Sequence, residues 1–169
     1  MKKKLMANNL IMIDIAPIIE GYPSDYTISK VVGVNAEYAA QIAYTKKVAM
    51  SVLQLVEKGL SNQQIFEATK TSVKQTENYL LGDVPFIRLG HRLLNVPKLV
   101  GNFPEARFAY LLGYPGAAFL NGRWSSTLDN LWAVEAYILS DKRGTKYEEL
   151  VYIEGNGVVH RLNPVDENV

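Results

Sequence analysis

The stretch Gly59–Gly82, GLSNQQIFEATKTSVKQTENYLLG, carries the strongest local folding signals in the chain. Ser61 is a favourable N-cap for a helix whose Ile65 and Ala68 can dock on a neighbour. Ser72 is placed to cap a second short helix that comes directly after it. Two short helices in sequence, packed on a helix that precedes them, form a helix-turn-helix arrangement. The stretch therefore predicts such a unit.

A related segment lies 37 positions earlier, where Ala16–Ala43 aligns with Leu53–Leu80. Three residue types coincide between the segments, namely Glu20, Ser24 and Ile28 with Glu57, Ser61 and Ile65. In the earlier segment Gly33 suits a turn that needs positive φ, and Asn35 suits the next N-cap. The internal similarity predicts two helix-turn-helix units in tandem.

Both segments resemble the helix-turn-helix units of bacterial and phage regulators, especially the type whose first helix ends in Glu-x-Gly-Leu-Ser, here Glu57 to Ser61. The resemblance implies a sequence-specific protein that binds double-stranded DNA. A transcriptional regulator and a DNA-recognition subunit of a phage or mobile element both fit. The chain is also similar in size and layout to phage small-terminase subunits.

In this interpretation the helix from Ser72 to Leu81 lies in the major groove. Lys, Gln and Asn side chains can pair with base edges there, and groups at the helix start can hold phosphate. The base-reading candidates are Lys74, Gln75 and Asn78, and the phosphate candidates are Lys70, Thr71 and Ser72. From the first unit we expect contributions of Tyr38, Gln41, Lys46 and Lys47.

The remainder of the chain predicts a smaller, mixed region. Asp83–Asn102 contains prolines, glycines and asparagines and looks like a connector. The pattern STLDNLWAVEAYIL from Ser126 predicts a capped helix, and YEELVYIEGNGVVHRL at 147–162 predicts a β-hairpin. The predicted fold is mainly α, a helix-turn-helix-containing helical domain with a C-terminal helix and β-hairpin. We expect a helical region at 1–82, a connector at 83–103, and a region at 104–169 that could mediate oligomerisation, such as a homodimer, or effector contact.

Bulk properties agree with an ordinary globular protein. The chain has 169 residues, 48% of them hydrophobic, and no cysteine, which excludes disulfides, cysteine zinc sites and thiol catalysis. Its net charge is only +1, but residues 1–100 carry +4 and residues 101–169 carry −3. A polyanion would therefore meet the N-terminal half. No apolar run approaches the ~20 residues needed to cross a bilayer, so a cytoplasmic location is expected.

The sequence shows no phosphate-loop, nucleophile-elbow or zinc motif, so we predict neither an enzyme nor a metal or cofactor site. His91 and His160 lie far apart in sequence. Glu148, Glu149 and Glu154 could join His160 in a metal site on the hairpin, but adjacent glutamates point to opposite faces of a strand, so only one of the neighbours would take part. Two alternatives remain, a protein-binding adaptor or inhibitor that uses the aromatic C-terminal half, and a small enzyme of unrecognised type.

Overall fold

The fold is α/β rather than mainly α. The computed structural model describes residues 4–19, 22–76, 78–82, 89–93, 119–140 and 143–162. Two helices and nine strands occupy these ranges. The strands are β1 (Leu10–Ile15), β2 (Ile18–Ile19), β3 (Tyr22–Pro23), β4 (Tyr26–Val31), β5 (Leu80–Leu81), β6 (Gly90–Arg92), β7 (Asn130–Ser140), β8 (Arg143–Ile153) and β9 (Val159–Arg161), and the helices are α1 (Ala36–Glu57) and α2 (Asn62–Lys74).

A long antiparallel hairpin of β7 and β8 forms the centre of the main sheet. β9 pairs with the far end of β8, while β5 and β6 pair with successive parts of β7. The helix predicted from Ser126 is therefore wrong, because Asn130–Ser140 is a strand. The strand is covered on both faces, so its apolar residues run almost continuously instead of alternating, and this pattern cannot be told from a buried helix by periodicity alone.

The two faces of the hairpin differ in character. Trp132 and Val134 pack on α1 and α2 in one cluster, and Ala136 and Ile138 pack on the same helices in a second cluster. Ala133 lies on the opposite face and packs with Leu93 and Leu150. Glu135 shares that opposite face, because side chains two positions apart in a strand point the same way. The helices thus cover one face, and the opposite face carries a small apolar cluster beside Glu135.

The helix caps predicted at Asn35 and Ser61 are confirmed. Asn35 Oδ1 accepts a hydrogen bond from the Tyr38 amide, and Ser61 forms a reciprocal capping box with Gln64. The helix-turn-helix arrangement built around these caps is wrong in both segments. α2 continues without a break through Lys70 and Thr71 to Lys74, so no helix begins at Ser72.

Two other segments expected in helices of the tandem units are strands. Leu80–Leu81, expected at the end of a recognition helix, forms β5 and pairs with β7. Ile28 and Ser29, expected in a docking helix, lie in β4, which pairs with β1 along its whole length. Thr27 and Ser29 are buried while Lys30 is exposed, and burial that alternates along the chain suits a strand.

The β1–β4 hairpin is joined to the main sheet through polar contacts with β8. Ser29 Oγ accepts a hydrogen bond from the Lys146 amide at 2.8 Å and donates one to the Lys146 carbonyl at 2.9 Å. Thr27 Oγ1 donates to Glu148 Oε2 at 2.8 Å. β1 and β4 therefore lie against the polar part of β8, and the acidic residues near their ends approach the same region.

The predicted C-terminal hairpin is confirmed and is formed by β8 and β9. Only Gly157 of the Gly155–Gly157 segment has positive φ, and its amide donates to the Glu154 carbonyl. The predicted division at 83–103 stays a prediction, since most of residues 83–118 lie outside the described ranges. Neither described helix is long and apolar enough to span a membrane.

Candidate metal centre

Five acidic and imidazole side chains converge beside β8 on the face of the sheet opposite the helices. They come from separate elements, so their proximity depends on how the strands pair. Glu135 of β7 and Glu148 of β8 are direct partners in the antiparallel register. The five residues are Asp14 in β1, Asp25 just before β4, His91 in β6, Glu135 in β7 and Glu148 in β8.

The most compact part of this group consists of Asp25, His91 and Glu148. One donor atom from each residue lies within 4.8 Å of the other two. His91 Nε2 is 3.2 Å from Asp25 Oδ2, and His91 and Glu148 are both buried. A carboxylate oxygen, an imidazole nitrogen and a second carboxylate oxygen at this separation match the donor set of many divalent transition-metal sites.

The Lys146 ammonium group lies between the carboxylates of Asp14, Glu135 and Glu148. Its Nζ atom is 2.7 Å from Glu135 Oε2, 3.1 Å from Glu148 Oε2 and 3.6 Å from Asp14 Oδ2. Lys146 precedes Glu148 by two residues on β8, so both side chains point to the same face. The ammonium group therefore neutralises part of a buried negative cluster.

Three buried side-chain atoms in this region that could ligate a metal have no hydrogen-bond partner among the described residues. They are His91 Nδ1, Glu135 Oε1 and Glu148 Oε1. A buried polar atom without a partner is costly, and its presence in a native site often indicates an ion or water that completes it. These atoms, together with the oxygen and nitrogen chemistry of the donor set, fit a divalent cation.

Local charges and burial shift the pKa values of the cluster. The pKa of Glu148 is raised to about 7. Burial is the largest cause and the charges of Glu135 and Asp25 add to it, while the Lys146 charge acts in the opposite direction. Burial lowers the pKa of His91, but its hydrogen bond with Asp25 and the charges of Glu135, Asp25 and Glu148 outweigh that effect, so its pKa lies above the usual value. Burial also lowers the pKa of Lys146, yet Glu135 and Glu148 raise it to a net value above normal, so Lys146 stays charged.

These shifts predict that the metal-free protein loses stability as the pH rises. A group whose pKa is higher in the folded state stabilises the fold below its unfolded pKa, and this contribution disappears as the pH passes the folded pKa. For Glu148 the window runs from 4.5 to about 7, and His91 extends it upward from 6.5. Each proton contributes a slope of at most ~1.4 kcal/mol per pH unit.

Thermal unfolding in the presence of a chelator at pH 5, 6, 7 and 8 measures this effect. We expect a falling midpoint, and a smaller fall for Glu148→Gln, because glutamine cannot titrate. A midpoint that rises between pH 5 and 7 in the metal-free protein would contradict the arrangement. Added Mn²⁺ should stabilise the protein most at pH 8, because a cation binds deprotonated ligands.

The predicted DNA-contacting residues lie on or just after the two helices, outside the acidic cluster. Tyr38, Gln41, Lys46 and Lys47 are on α1, and Lys70, Thr71, Ser72 and Lys74 are on α2, with Gln75 as its C-cap and Asn78 a few residues beyond it. Gln41 is buried, and its Nε2 donates to the carbonyls of Ile138 and Arg143. Gln41 thus ties α1 to the hairpin and is inaccessible to a nucleic acid.

Only part of the acidic cluster was apparent from the sequence. The sequence leaves open which of Glu148 and Glu149 could join His160 and Glu154 in a metal site, and no metal site is predicted from it. The opposite orientation of the two neighbours is confirmed: Glu148 faces the cluster, while Glu149 Oε2 accepts a hydrogen bond from the Tyr147 hydroxyl on the other face. His160 does not join the cluster, since it is exposed and pairs with Glu154. A buried glutamate inside the apolar run LWAVEAYIL was the available signal for Glu135.

No family model and no curated protein match this chain. Solved structures of peptidases do match its fold. The prolidase from Pyrococcus furiosus has a TM-score of 0.65 and 18% identity over 97% of this chain and 44% of its own. The methionine aminopeptidase from Rickettsia prowazekii has a TM-score of 0.67 and 18% identity over 94% of this chain and 66% of its own. The X-Pro aminopeptidase from Thermotoga maritima has a TM-score of 0.62 and 17% identity over 95% of this chain and 41% of its own.

These comparisons assign the chain the α/β pita-bread fold and correct the predicted class of protein. The chain spans about two fifths of the length of the prolidases it matches. Neighbours with this fold are peptidases, so the expected relationship to helix-turn-helix regulators is wrong. The expectations of double-stranded DNA as partner, of transcription regulation and of a protein without enzymatic activity are contradicted by the same neighbours, and the small-enzyme alternative comes closer.

Proposed function

We propose that this chain forms the catalytic domain of a metal-dependent peptidase. The observation that carries the proposal is the cluster of Asp25, His91 and Glu148, whose donor atoms lie within 4.8 Å of one another on a fold shared with aminopeptidases and prolidases. Fold alone does not define function, but a buried, incompletely partnered donor set is a site with a specific chemical use.

The residues of the cluster have separable roles in this proposal. Asp25, His91 and Glu148 would hold the cation, and Glu135 offers a further free carboxylate oxygen beside them. A divalent cation in such a site supplies Lewis-acid chemistry, which polarises carbonyl groups and makes water more acidic. Thr27 holds one oxygen of Glu148 by a hydrogen bond, which leaves the other oxygen free to face the cation.

The surrounding hydrogen bonds keep this set in place before any cation binds. Asp25 contacts His91 Nε2, and the Leu89 carbonyl accepts a hydrogen bond from the Glu135 amide at 3.1 Å. The Leu89 amide donates a hydrogen bond to the Leu120 carbonyl, and the Leu120 amide donates one to the Gly90 carbonyl. β6 is thus tied to both its neighbours, and the imidazole is presented from a strand rather than from a loop, as precise sites require.

Peptide hydrolysis tests the proposal directly. Purified chain, stripped of metal and then supplied with Co²⁺ or Mn²⁺, is incubated with dipeptides ending in proline and with short peptides that begin with methionine, and products are followed by mass spectrometry. We expect cleavage that requires the cation, stops with chelator and is lost in Glu148→Gln. If the cation binds and no peptide in either group is cleaved, the proposed activity is wrong.

A further inference from the structure

Lys146 divides the acidic cluster into two halves that share Glu148. One half consists of Asp25, His91 and Glu148, whose donor atoms form the compact set. The other half consists of Asp14, Glu135 and Glu148, and all three carboxylates lie within ion-pair distance of the Lys146 ammonium. Each half has an unpartnered atom of its own, His91 Nδ1 in the first and Glu135 Oε1 in the second, but only the second half already holds a positive charge.

The position of Lys146 is fixed by its backbone as well as by its charge. Its amide and carbonyl groups both bond Ser29 Oγ, which anchors this point of β8 to β4. Its side chain is only 19% exposed, so it has little room to leave the cluster for solvent. The ammonium group is a built part of the site.

The charges of the cluster limit the number of divalent cations that the site can bind. Asp14, Asp25, Glu135 and Glu148 carry four negative charges when ionised, and Lys146 neutralises one of them. One divalent cation would change the net charge of these groups from −3 to −1, and a second would change it to +1. The second cation would also have to share the carboxylates of Asp14, Glu135 and Glu148 with the largely buried ammonium, where like charges repel strongly.

We infer that this site binds a single divalent cation, at Asp25, His91 and Glu148, and that the Lys146 ammonium takes the place of a second cation between Asp14, Glu135 and Glu148. This inference rests on the proposed function, because both need the first cation position. The inference further specifies that one cation, and not two, binds per chain.

Metal content under equilibrium dialysis tests the inference without reference to activity. The full chain, Lys146→Met and Lys146→Arg are dialysed against Co²⁺ and analysed for bound metal and for thermal unfolding. Methionine keeps the length of the side chain but removes its charge, whereas arginine keeps the charge and serves as the matched control. We expect about one ion per chain for the native protein and Lys146→Arg, and about two for Lys146→Met.

Each outcome separates the inference from the proposed function. Two bound ions in the native chain would overturn the inference and leave a metal-dependent peptidase intact, whereas no bound ion would overturn both. A folded Lys146→Met that still binds one ion would also overturn the inference. If that variant does not fold, electron paramagnetic resonance of the Mn²⁺-loaded native protein decides, since isolated ions support the inference and spin-coupled pairs contradict it.

Discussion

Replacing His91 by alanine should lower the affinity of the protein for a divalent cation by more than about 100-fold, because loss of an outer residue that merely supports a ligand already costs 10–100-fold. His91 supplies the nitrogen donor within the compact set of Asp25, His91 and Glu148. Its removal also leaves the Asp25 carboxylate without its imidazole partner. Because the proposed activity requires the cation, we expect His91→Ala to lose peptide hydrolysis as it loses cation binding.

The chain contains a matched control in its other histidine. His160 is half exposed, bonds the exposed Glu154 on the C-terminal hairpin and takes no part in the acidic cluster. Isothermal titration of His91→Ala, His160→Ala and the native chain with Mn²⁺ compares the two positions. Equal losses in both variants, or an unchanged affinity in His91→Ala, would show that the cation is held elsewhere.

Two N-cap signals in the sequence identified local structure correctly. Asn35 and Ser61 cap helices because a short polar side chain at the helix start bonds an amide only three residues away, and no tertiary contact is needed for this preference. The same signals could not show which element precedes or succeeds each helix. Gly33 does have the positive φ expected of a turn residue, but the turn joins a strand to a helix instead of two helices.

The errors arose where tertiary contacts override local pattern. Residues of β7 look helical because α1 and α2 cover one face while Leu93 and Leu150 pack on the other, so apolar residues occupy consecutive positions. β4 carries polar residues on its buried side, since Thr27 and Ser29 bond β8. β7 therefore lacks the alternation of hydrophobic and polar residues that marks a half-buried strand, and in β4 the polar residues Thr27 and Ser29 occupy the more buried side.

The candidate metal site could not be predicted from the sequence for a related reason. Asp14 and Lys146 lie more than 130 positions apart in sequence, and Asp14 approaches the Lys146 ammonium only because β1 pairs with β4 and β4 contacts β8. Separate carboxylates in a single sequence are indistinguishable from solvated charges. Burial distinguishes Glu135, Glu148 and Glu149 from the other described acidic residues, and the face of the sheet separates the first two from Glu149; both properties depend on strand register.

Gly90→Ala should destabilise the fold by roughly 3 kcal/mol or more, which is among the largest effects expected of a single substitution. Gly90 has a φ of +139°, a conformation that side chains with a Cβ rarely adopt. A Cβ at this position would lie 2.3 Å from the Ala133 carbonyl oxygen and 3.1 Å from the Val134 Cα, both backbone atoms of the central strand. Neither can move without disturbing the pairing of β6 with β7.

The same substitution should weaken cation binding, because Gly90 directly precedes His91 and its pairing with Val134 sets where the imidazole lies. Gly155→Ala is the matched control, since a Cβ there meets no atom within 4 Å and the residue does not have positive φ. Urea unfolding with Mn²⁺ titration of both variants measures stability and binding together. A change within about 0.5 kcal/mol is expected at Gly155. If Gly90→Ala retained both native stability and native affinity, the close approach of β6 to β7, and with it the placement of His91 beside Asp25 and Glu148, would have to be abandoned.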